Sequence, residues 1–578
     1  MCGIFGLLNK SLNTKYRYTD EQINDAFIKG VNRGPENSKY LKINNNTEFG
    51  FHRLAINGLN DESDQPITID GITLICNGEI YNFRELYQML NDEEQLSDKP
   101  LTDSDCEVII HLYRIYGIRK TLELLNGEFA FAIHDANLDK IFLARDPHGV
   151  RALYIMENIE ESFSYPIVFG SEMKMLYPLT HGHSELKIQQ FKPGHYMILD
   201  NNEMSDNKYW TFMPYNKFIQ YFNRCHYYDN INYWISCFPD GDIENAFEQI
   251  RNALSNSVKR RVTTSDRPIA CLLSGGLDSS LITALVAKHY SKEQLETYSI
   301  GMPGSEDLKF SQIVADHLGT KHTQIVLSED DFFNAIPKVI YSIESYDTTT
   351  VRASVGNYLV SKYIAEHSNA KVIFNGDGSD EVTGGYMYFH KAPTEQEFDT
   401  ECHRRLDDIY TFDVLRSDKS IASNGLEPRT PFLDKEFVNA YLSIPITWRY
   451  HPGNKQCEKY MLRKAFDGTG LLPDSVLWRT KEAFSDGVSS HSKSWFEIID
   501  EKIDAVHGNA YKMGVYNSER FSTNTPKTQE QNYYRDIFEK YYCGCGEILP
   551  YFWMPKYVNA TDSSARTLNV YAEKQNED

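Results

Sequence analysis

At 578 residues the chain is long enough for roughly two to four domains, each with its own core. A hydrophobic content of 41% and an aromatic content of 13% exclude an apolar-poor disordered chain, and a formal charge of −22 makes nucleic acid and acidic membranes poor partners. The ten cysteines are scattered, and the closest pair, Cys543 and Cys545, lacks two further zinc ligands, so a cytoplasmic protein with reduced thiols is expected. The start MCGIFGLLNK has no basic n-region, and no segment reaches about 18 apolar residues, so neither a signal peptide nor a spanning helix is predicted.

From the N-terminus to about residue 200, short strands alternate with turns: 72–82, 127–135, 140–146 and 165–173, interrupted by a helical stretch at 104–117. This mixture predicts an α+β domain built on antiparallel sheets. Residues 210–238 then hold 11 aromatic side chains, too many for a flexible linker, and are expected to pack at a domain interface. A helix follows from about residue 245, with Phe247, Ile250, Leu254 and Val258 on one face. Strands at 268–273, 296–302, 322–327 and 370–378 next alternate with helical patterns at 281–290, 310–319 and 337–345. That rhythm predicts an α/β domain with a parallel sheet, whose ligands lie beyond the C-terminal strand ends, in the loops after Leu273 and Phe374. The limits read as 2–205, an aromatic-rich connection at 206–244, a second domain at 245–560 and a tail at 561–578.

Once Met1 is removed, Cys2 carries a thiol and a free α-amine on one residue. The amine, with a reference pKa of about 7.7 to 8.0, can accept the thiol proton. With MCGIFG, the turn-rich segments RGPEN (33–37), FHRLAING (51–58), NGEIYN (77–82), SDCE (104–107) and RDPHGVRALY (145–154) resemble the class II glutamine amidotransferase domain. The resemblance implies an N-terminal-nucleophile fold of two stacked antiparallel sheets. It makes Cys2 the nucleophile toward glutamine, with Asn77 and Gly78 as the oxyanion hole. Arg53 and Asp105 would hold the glutamine α-carboxylate and α-ammonium, with Glu79 and the Ala55–Ile56 backbone completing the pocket.

LLSGGLDSS (272–280) turns from a strand into a helix and can aim backbone N–H groups at an anion, and it lacks the Lys of a GxxxxGK[ST] loop. It matches the pyrophosphatase loop of enzymes that split ATP to AMP and pyrophosphate. ESYDTTTVRAS (344–354), GGYMYFHKAP (384–393), LEPRTPFLD (426–434), WRTKEAFSDG (478–487) and FWMPKYVNATDSSARTL (552–568) extend the resemblance, which becomes one to asparagine synthetases along nearly the whole chain. The implied substrates are glutamine, aspartate and ATP, with Mg²⁺ on Asp278 and Asp380 and a β-aspartyl-AMP intermediate. ATP would be held by Leu272, Ser274, Gly275, Gly276, Asp278, Ser279, Ile300, Asn375 and Gly376. Thr349, Arg352, Asp377 and Lys481 would serve aspartate and the intermediate, and ammonia would need an apolar passage between the two sites. No nucleic-acid or membrane partner is implied, and the oligomeric state stays open, a homodimer included.

The loop FNGDGSDE (374–381) departs from the family's SGEGSDE, with Asn375 for Ser and Asp377 for Glu. Asp377 keeps the carboxylate on a side chain one methylene shorter, and Asn375 is expected to compensate. The alternatives are an amidotransferase acting on another carboxylate and a glutaminase whose synthetase domain has degenerated. A silent binding protein is opposed by intact Cys2, Asp278 and Lys481.

Overall fold

The computed structural model describes residues 1–8, 17–93, 100–158, 166–181, 183–200, 213–214, 242–290, 294–512 and 521–569. It divides into two compact units, one of Met1–His226, Thr264–Arg267 and Ala422–Leu426, the other of Tyr227–Thr263, Pro268–Ile421 and Glu427–Asp578. The aromatic stretch at 210–238 lies outside the described residues apart from the backbone of Met213–Pro214.

The first unit is built on strands β1 (Gly3–Leu8), β2 (Asn37–Asn44), β3 (Thr47–Arg53), β4 (Ile67–Ile69), β5 (Ile72–Ile80), β6 (Gly127–Asp135), β7 (Lys140–Arg145), β8 (Tyr154–Asn158), β9 (Ile167–Gly170), β10 (Leu186–Gln190), β11 (His195–Asp200) and β12 (Met213–Pro214). They form two six-stranded antiparallel sheets, in the orders β10-β8-β9-β1-β3-β2 and β12-β11-β7-β6-β5-β4. Alternate residues of β5 and β6 serve two cores, as a period of two requires. Ile75, Ala130 and Ala132 face the interior of the sandwich with Ile4, Phe49 and Phe169. Leu74, Cys76, Phe129 and Phe131 point outward, against Leu86 and Leu90 of α2 (Phe83–Asp92) and Ile109 and Leu112 of α3 (Val108–Leu124). The helix expected at 104–117 begins as a 3₁₀ turn at Asp105–Glu107 and is broken at Gly117, whose φ of 74° only glycine adopts at little cost.

The second unit carries a five-stranded parallel sheet of β13 (Ile269–Leu272), β14 (Glu296–Gly301), β15 (Lys321–Val326), β16 (Val372–Phe374) and β17 (Glu427–Arg429), in the order β15-β14-β13-β16-β17. The chain winds outward from β13 to β15 and then returns to the other side of β13 with β16. The strand order therefore reverses between β13 and β16, and the loops after Leu272 and Phe374 part there to leave a crevice. The predicted helical face is found in α4 (Ile243–Thr263), which buries Phe247, Ile250, Leu254 and Val258. Strand β17 was missed because it is three residues long and contains Pro428; it lies at the sheet edge, where a missing N–H is tolerated.

Candidate active sites

In the first unit, Cys2 immediately precedes β1, half-buried, with its Sγ 3.5 Å from the Leu54 carbonyl. The buried Arg33 of RGPEN steadies it, with Nε donating to the Cys2 carbonyl at 2.9 Å and Nη1 meeting Glu172 at 3.3 Å. Asn77 and Gly78 lie on β5, paired with Ala130 and Phe129. The Asn77 side chain is buried, its Nδ2 donates to Ser171 Oγ across a long 3.4 Å, and its Oδ1 has no hydrogen-bond partner among the described residues. Ser171 Oγ also accepts the Ile4 N–H at 3.0 Å, which links the asparagine to the strand that follows Cys2. A Cβ on Gly78 would fall 2.3 Å from the Glu128 carbonyl, so only glycine fits.

The remaining residues of this pocket are tied into the protein. Arg53 donates from Nη1 to the Asn60 carbonyl at 2.9 Å and to Asp64 at 2.5 Å, and from Nη2 to the Gly58 carbonyl. Asp105 accepts the Ile80 N–H at 2.6 Å, and Glu79 accepts from the Asn57 amide. Most backbone groups of Ala55 and Ile56 have partners of their own. The Ala55 N–H donates to Glu36 at 2.7 Å, its carbonyl accepts from Arg267 Nε at 2.8 Å, and the Ile56 carbonyl accepts the Asp266 N–H at 3.0 Å. Glu36, Asp266 and Arg267 therefore hold this loop, and sequence reasoning missed the last two because they lie more than 200 residues downstream.

In the second unit, Leu272, Ser274, Gly276, Asp278, Ser279 and Ile300 line one cavity with Thr349, Asn375, Gly376, Asp377, Asp380 and Lys481. Ser274 and Ser279 close the SGGLDS loop through their hydroxyls at 3.0 Å, and α5 (Leu277–Ala287) begins at Gly276 with no side-chain cap, leaving first-turn N–H groups for an anion. Gly275 is not part of the cavity wall. Its φ of 76° turns the loop, and a Cβ there would sit 2.4 Å from the backbone of Phe310 on α6 (Glu306–Leu318). At Gly376, a Cβ would come within 2.8 Å of Asp278 Cβ and the Ser279 nitrogen, so the two loops pack directly on each other.

That packing brings Asp278 and Asp380 to a common point. Lys459 Nζ lies 2.7 and 2.6 Å from the two Asp278 oxygens and 2.7 Å from Asp380 Oδ1. Lys481 Nζ is 2.7 Å from Asp380 Oδ2 and 3.6 Å from Asp278 Oδ2. Burial alone would raise the Asp380 pKa, yet the Lys459 and Lys481 ammonium groups reverse this and hold the carboxyl well below its usual range. Burial would likewise lower the Lys481 pKa, and Asp380 and Asp278 instead hold it above its ordinary value. Lys459, buried and in the left-handed region at φ 60°, went unnoticed because KQCEKY carries no motif. Among the described residues, no set of three or more His, Cys, Asp and Glu side chains could hold a metal ion.

Asp377 lies in the cavity wall with its Oδ1 2.8 Å from Arg416 Nη2, which also meets Asp413 Oδ1 at 2.8 Å on the helix Asp413–Ala422. Asn375 Oδ1 accepts the Asp377 N–H at 3.2 Å while its Nδ2 donates to Ser417 Oγ at 2.6 Å. The two departures from the family loop are thus joined by a hydrogen bond. Thr349 Oγ1 is buried without a hydrogen-bond partner among the described residues.

Arg352, like Gly275, is not among the residues that line the cavity. On α8 (Thr348–His367) it is buried between Glu530 and Asp562: Nε donates to Glu530 Oε1 at 2.9 Å, Nη2 to Glu530 Oε2, and Nη1 and Nη2 to the two Asp562 oxygens at 2.7 Å each. With a further contact from Nη1 to Ser563 Oγ at 3.4 Å, its donors are committed, and the expected contact with substrate oxygens is corrected to an internal clamp.

Comparisons with known proteins match both parts of the chain. The asparagine synthase family model matches residues 249–398 and 391–539, and a glutamine amidotransferase domain model matches residues 1–187. The asparagine synthetases (glutamine-hydrolysing) of Homo sapiens and Mus musculus are each 42% identical to this chain, and that of Gallus gallus is 41% identical. In all three, the match covers 99% of this chain and 99% of the relative.

Proposed function

The chain belongs to the glutamine-hydrolysing asparagine synthetases, an ATP-dependent family that makes asparagine from aspartate and glutamine, and on that basis we propose how its residues divide the work. With Met1 removed, the Cys2 amine takes the thiol proton, the thiolate attacks the glutamine carboxamide, the ammonium so formed returns the proton to the leaving ammonia, and water hydrolyses the thioester to glutamate and the free thiol. Asn77 Nδ2, held only across 3.4 Å by Ser171, and the Gly78 N–H stabilise the oxyanion. Arg53 and Asp105 bind the α-carboxylate and α-ammonium, with Glu79 and the Ile56 N–H closing the pocket.

In the synthetase unit, the open first turn of α5 and the SGGLDS loop receive the ATP phosphates, with Gly275 setting the turn. The aspartate carboxylate attacks the α-phosphate, forming β-aspartyl-AMP and releasing pyrophosphate, and ammonia then displaces AMP. Asp278 and Asp380 suit Mg²⁺, because three of their oxygens already converge within 2.7 Å of one cationic atom, Lys459 Nζ. Two carboxylates with retained water and phosphate oxygens make an ordinary Mg²⁺ donor set, and the ion when bound neutralises phosphate charge. Lys459 and Lys481 supply the fixed positive charge beside it. Thr349 Oγ1 offers a buried hydroxyl to aspartate, and Asp377, aligned by Arg416, accepts a proton as the C–N bond forms. The reducing cytoplasm is the compartment proposed from the cysteine pattern.

The observation that carries this reading is the convergence of Asp278, Asp380, Lys459 and Lys481 at the strand-order reversal. Incubation with aspartate, ATP, Mg²⁺ and glutamine is expected to yield asparagine, AMP and pyrophosphate. Formation of ADP instead of AMP would overturn the adenylation step.

A further inference from the structure

Residues 562–567, assigned to a tail from the sequence, are bound to the synthetase unit through three side chains. Asp562 shares the Arg352 guanidinium. Ser564 Oγ donates to Asp486 Oδ1 at 2.7 Å, and the Ala565 N–H reaches Asp486 Oδ2 at 3.2 Å. Arg566 donates from Nε to Glu482 Oε1 at 2.8 Å and from Nη1 to the Ser490 carbonyl at 2.8 Å.

Glu482 belongs to the stretch that carries Lys481, and Asp486 follows it closely. Residues Arg479–Ala483 have no regular secondary structure. Backbone bonds fix the two ends, from the Arg479 N–H to the Val476 carbonyl at 3.2 Å and from the Asp486 and Gly487 N–H groups to the Ala483 carbonyl at 2.9 Å each, and side chains help to place the middle. On one side the Lys481 N–H donates to Glu458 Oε1 at 2.9 Å. Burial would raise the Glu458 pKa, but Arg463 and His390 bring it down to about 2, so this acceptor stays ionised. On the other side Glu482, adjacent to Lys481 and part of the cavity wall, is held by Arg566. The side chains of Glu482 and Arg566 are only 4% and 9% exposed, which protects the pair from salt and water. Glu482 also lies 3.5 Å from Arg479 Nη2, and Arg479 Nη1 donates to the Gly275 carbonyl of the nucleotide loop at 3.2 Å. Without Arg566, Arg479 becomes the nearest cation to Glu482 and is drawn from that loop.

We propose that Arg566 is a positioning residue for the synthetase reaction: through Glu482 it holds the Arg479–Ala483 stretch so that Lys481 meets Asp380. The inference rests on the role proposed for Lys481. It predicts a C-terminal segment whose loss impairs synthesis and spares glutamine hydrolysis.

The test uses the full-length enzyme with saturating ammonia as nitrogen donor, comparing Arg566→Gln, Arg566→Lys and a chain ending at Val570. Measured quantities are kcat and KM for ATP, glutamate release from glutamine, and melting temperature. Arg566→Gln is expected to lower kcat/KM for ATP by about 10- to 100-fold, the scale of a small misplacement of a catalytic group, with glutamate release unchanged. Arg566→Lys should recover part of the loss, since one ammonium can meet Glu482 but cannot also serve the Ser490 carbonyl in a fixed fork. The chain ending at Val570 should match the full length. Unchanged kcat/KM in Arg566→Gln overturns the proposal. If that variant melts early, Arg566→Lys decides: an activity no better than that of Arg566→Gln, in a Lys variant that melts like the wild type, overturns the proposal. Lys481→Ala separates the two levels: synthesis surviving this change removes the Lys481 role, whereas synthesis lost in it but intact in Arg566→Gln removes the Arg566 proposal alone.

Discussion

Replacing Arg352 by Met distinguishes a substrate contact from an internal clamp. The side chains of Arg352 and Glu530 are only 3% and 4% exposed, and Asp562 is 20% exposed. Removing one member of a buried charge network leaves its partners desolvated and unpaired, at a cost of about 3 to 5 kcal/mol. The cost is limited by protonation. Burial already raises the Glu530 pKa and Arg352 opposes that rise, so without the guanidinium Glu530 takes up a proton at a higher pH. The stability gap between wild type and Arg352→Met is therefore expected to be largest near pH 8 and to narrow as pH falls. At about 2 to 4 °C per kcal/mol, the melting temperature of the variant should drop by about 10 °C at pH 8. Arg352→Met/Glu530→Met, which removes the stranded buried carboxylate, should regain part of the loss. Thermal melts of the three proteins at pH 6 and pH 8, with the aspartate KM measured well below the transition, provide the test. An unchanged melting temperature together with a raised aspartate KM would refute the clamp and return Arg352 to the substrate.

Cys2→Ala is expected to abolish glutamine-dependent synthesis and preserve ammonia-dependent synthesis, because nucleophile and adenylation site lie in separate units; loss of both activities in a folded variant would count against this. Asp377→Ala should end synthesis while glutamate release persists. Asp377→Glu should be less active than Asp377→Glu/Asn375→Ser, since Asn375 Oδ1 fixes the 377 backbone and Arg416 its carboxylate, leaving the longer side chain no slack; equal ammonia-dependent rates would show the positions uncoupled. Burial depresses the His322 pKa to about 4, with the ring between Thr297 Oγ1 and Ser299 Oγ at 2.9 and 3.1 Å. A folded-state pKa below the unfolded value of 6.5 means the unfolded chain binds the extra proton, so this stability is present above pH 6.5 and is lost as pH falls toward 4. His322→Gln should flatten the urea-midpoint profile across that window, and an unaltered slope would exclude His322 as its source.

The sequence by itself determined the elements and the chemistry carried by contiguous motifs. Short runs punctuated by turns announced β5 and β6, alternating helices and strands announced the parallel sheet, and SGGLDS between a strand and a helix marked a candidate anion loop, while MCGIFG and NGE became a candidate nucleophile and oxyanion hole through the family resemblance they carry. What depends on distant partners was not legible. The segment KQCEKY gives no sign that Lys459 reaches two carboxylates, since Asp278 lies 181 residues away. The resemblance puts Ala55 and Ile56 at the pocket, but nothing near them in the sequence shows that Asp266 and Arg267 hold their carbonyls. Arg352 fits a substrate role in its motif, yet Glu530 and Asp562, 178 and 210 residues further on, occupy its guanidinium. A residue's type limits which bonds it can make, and only the tertiary fold decides which partner is near enough, and dry enough, to take them.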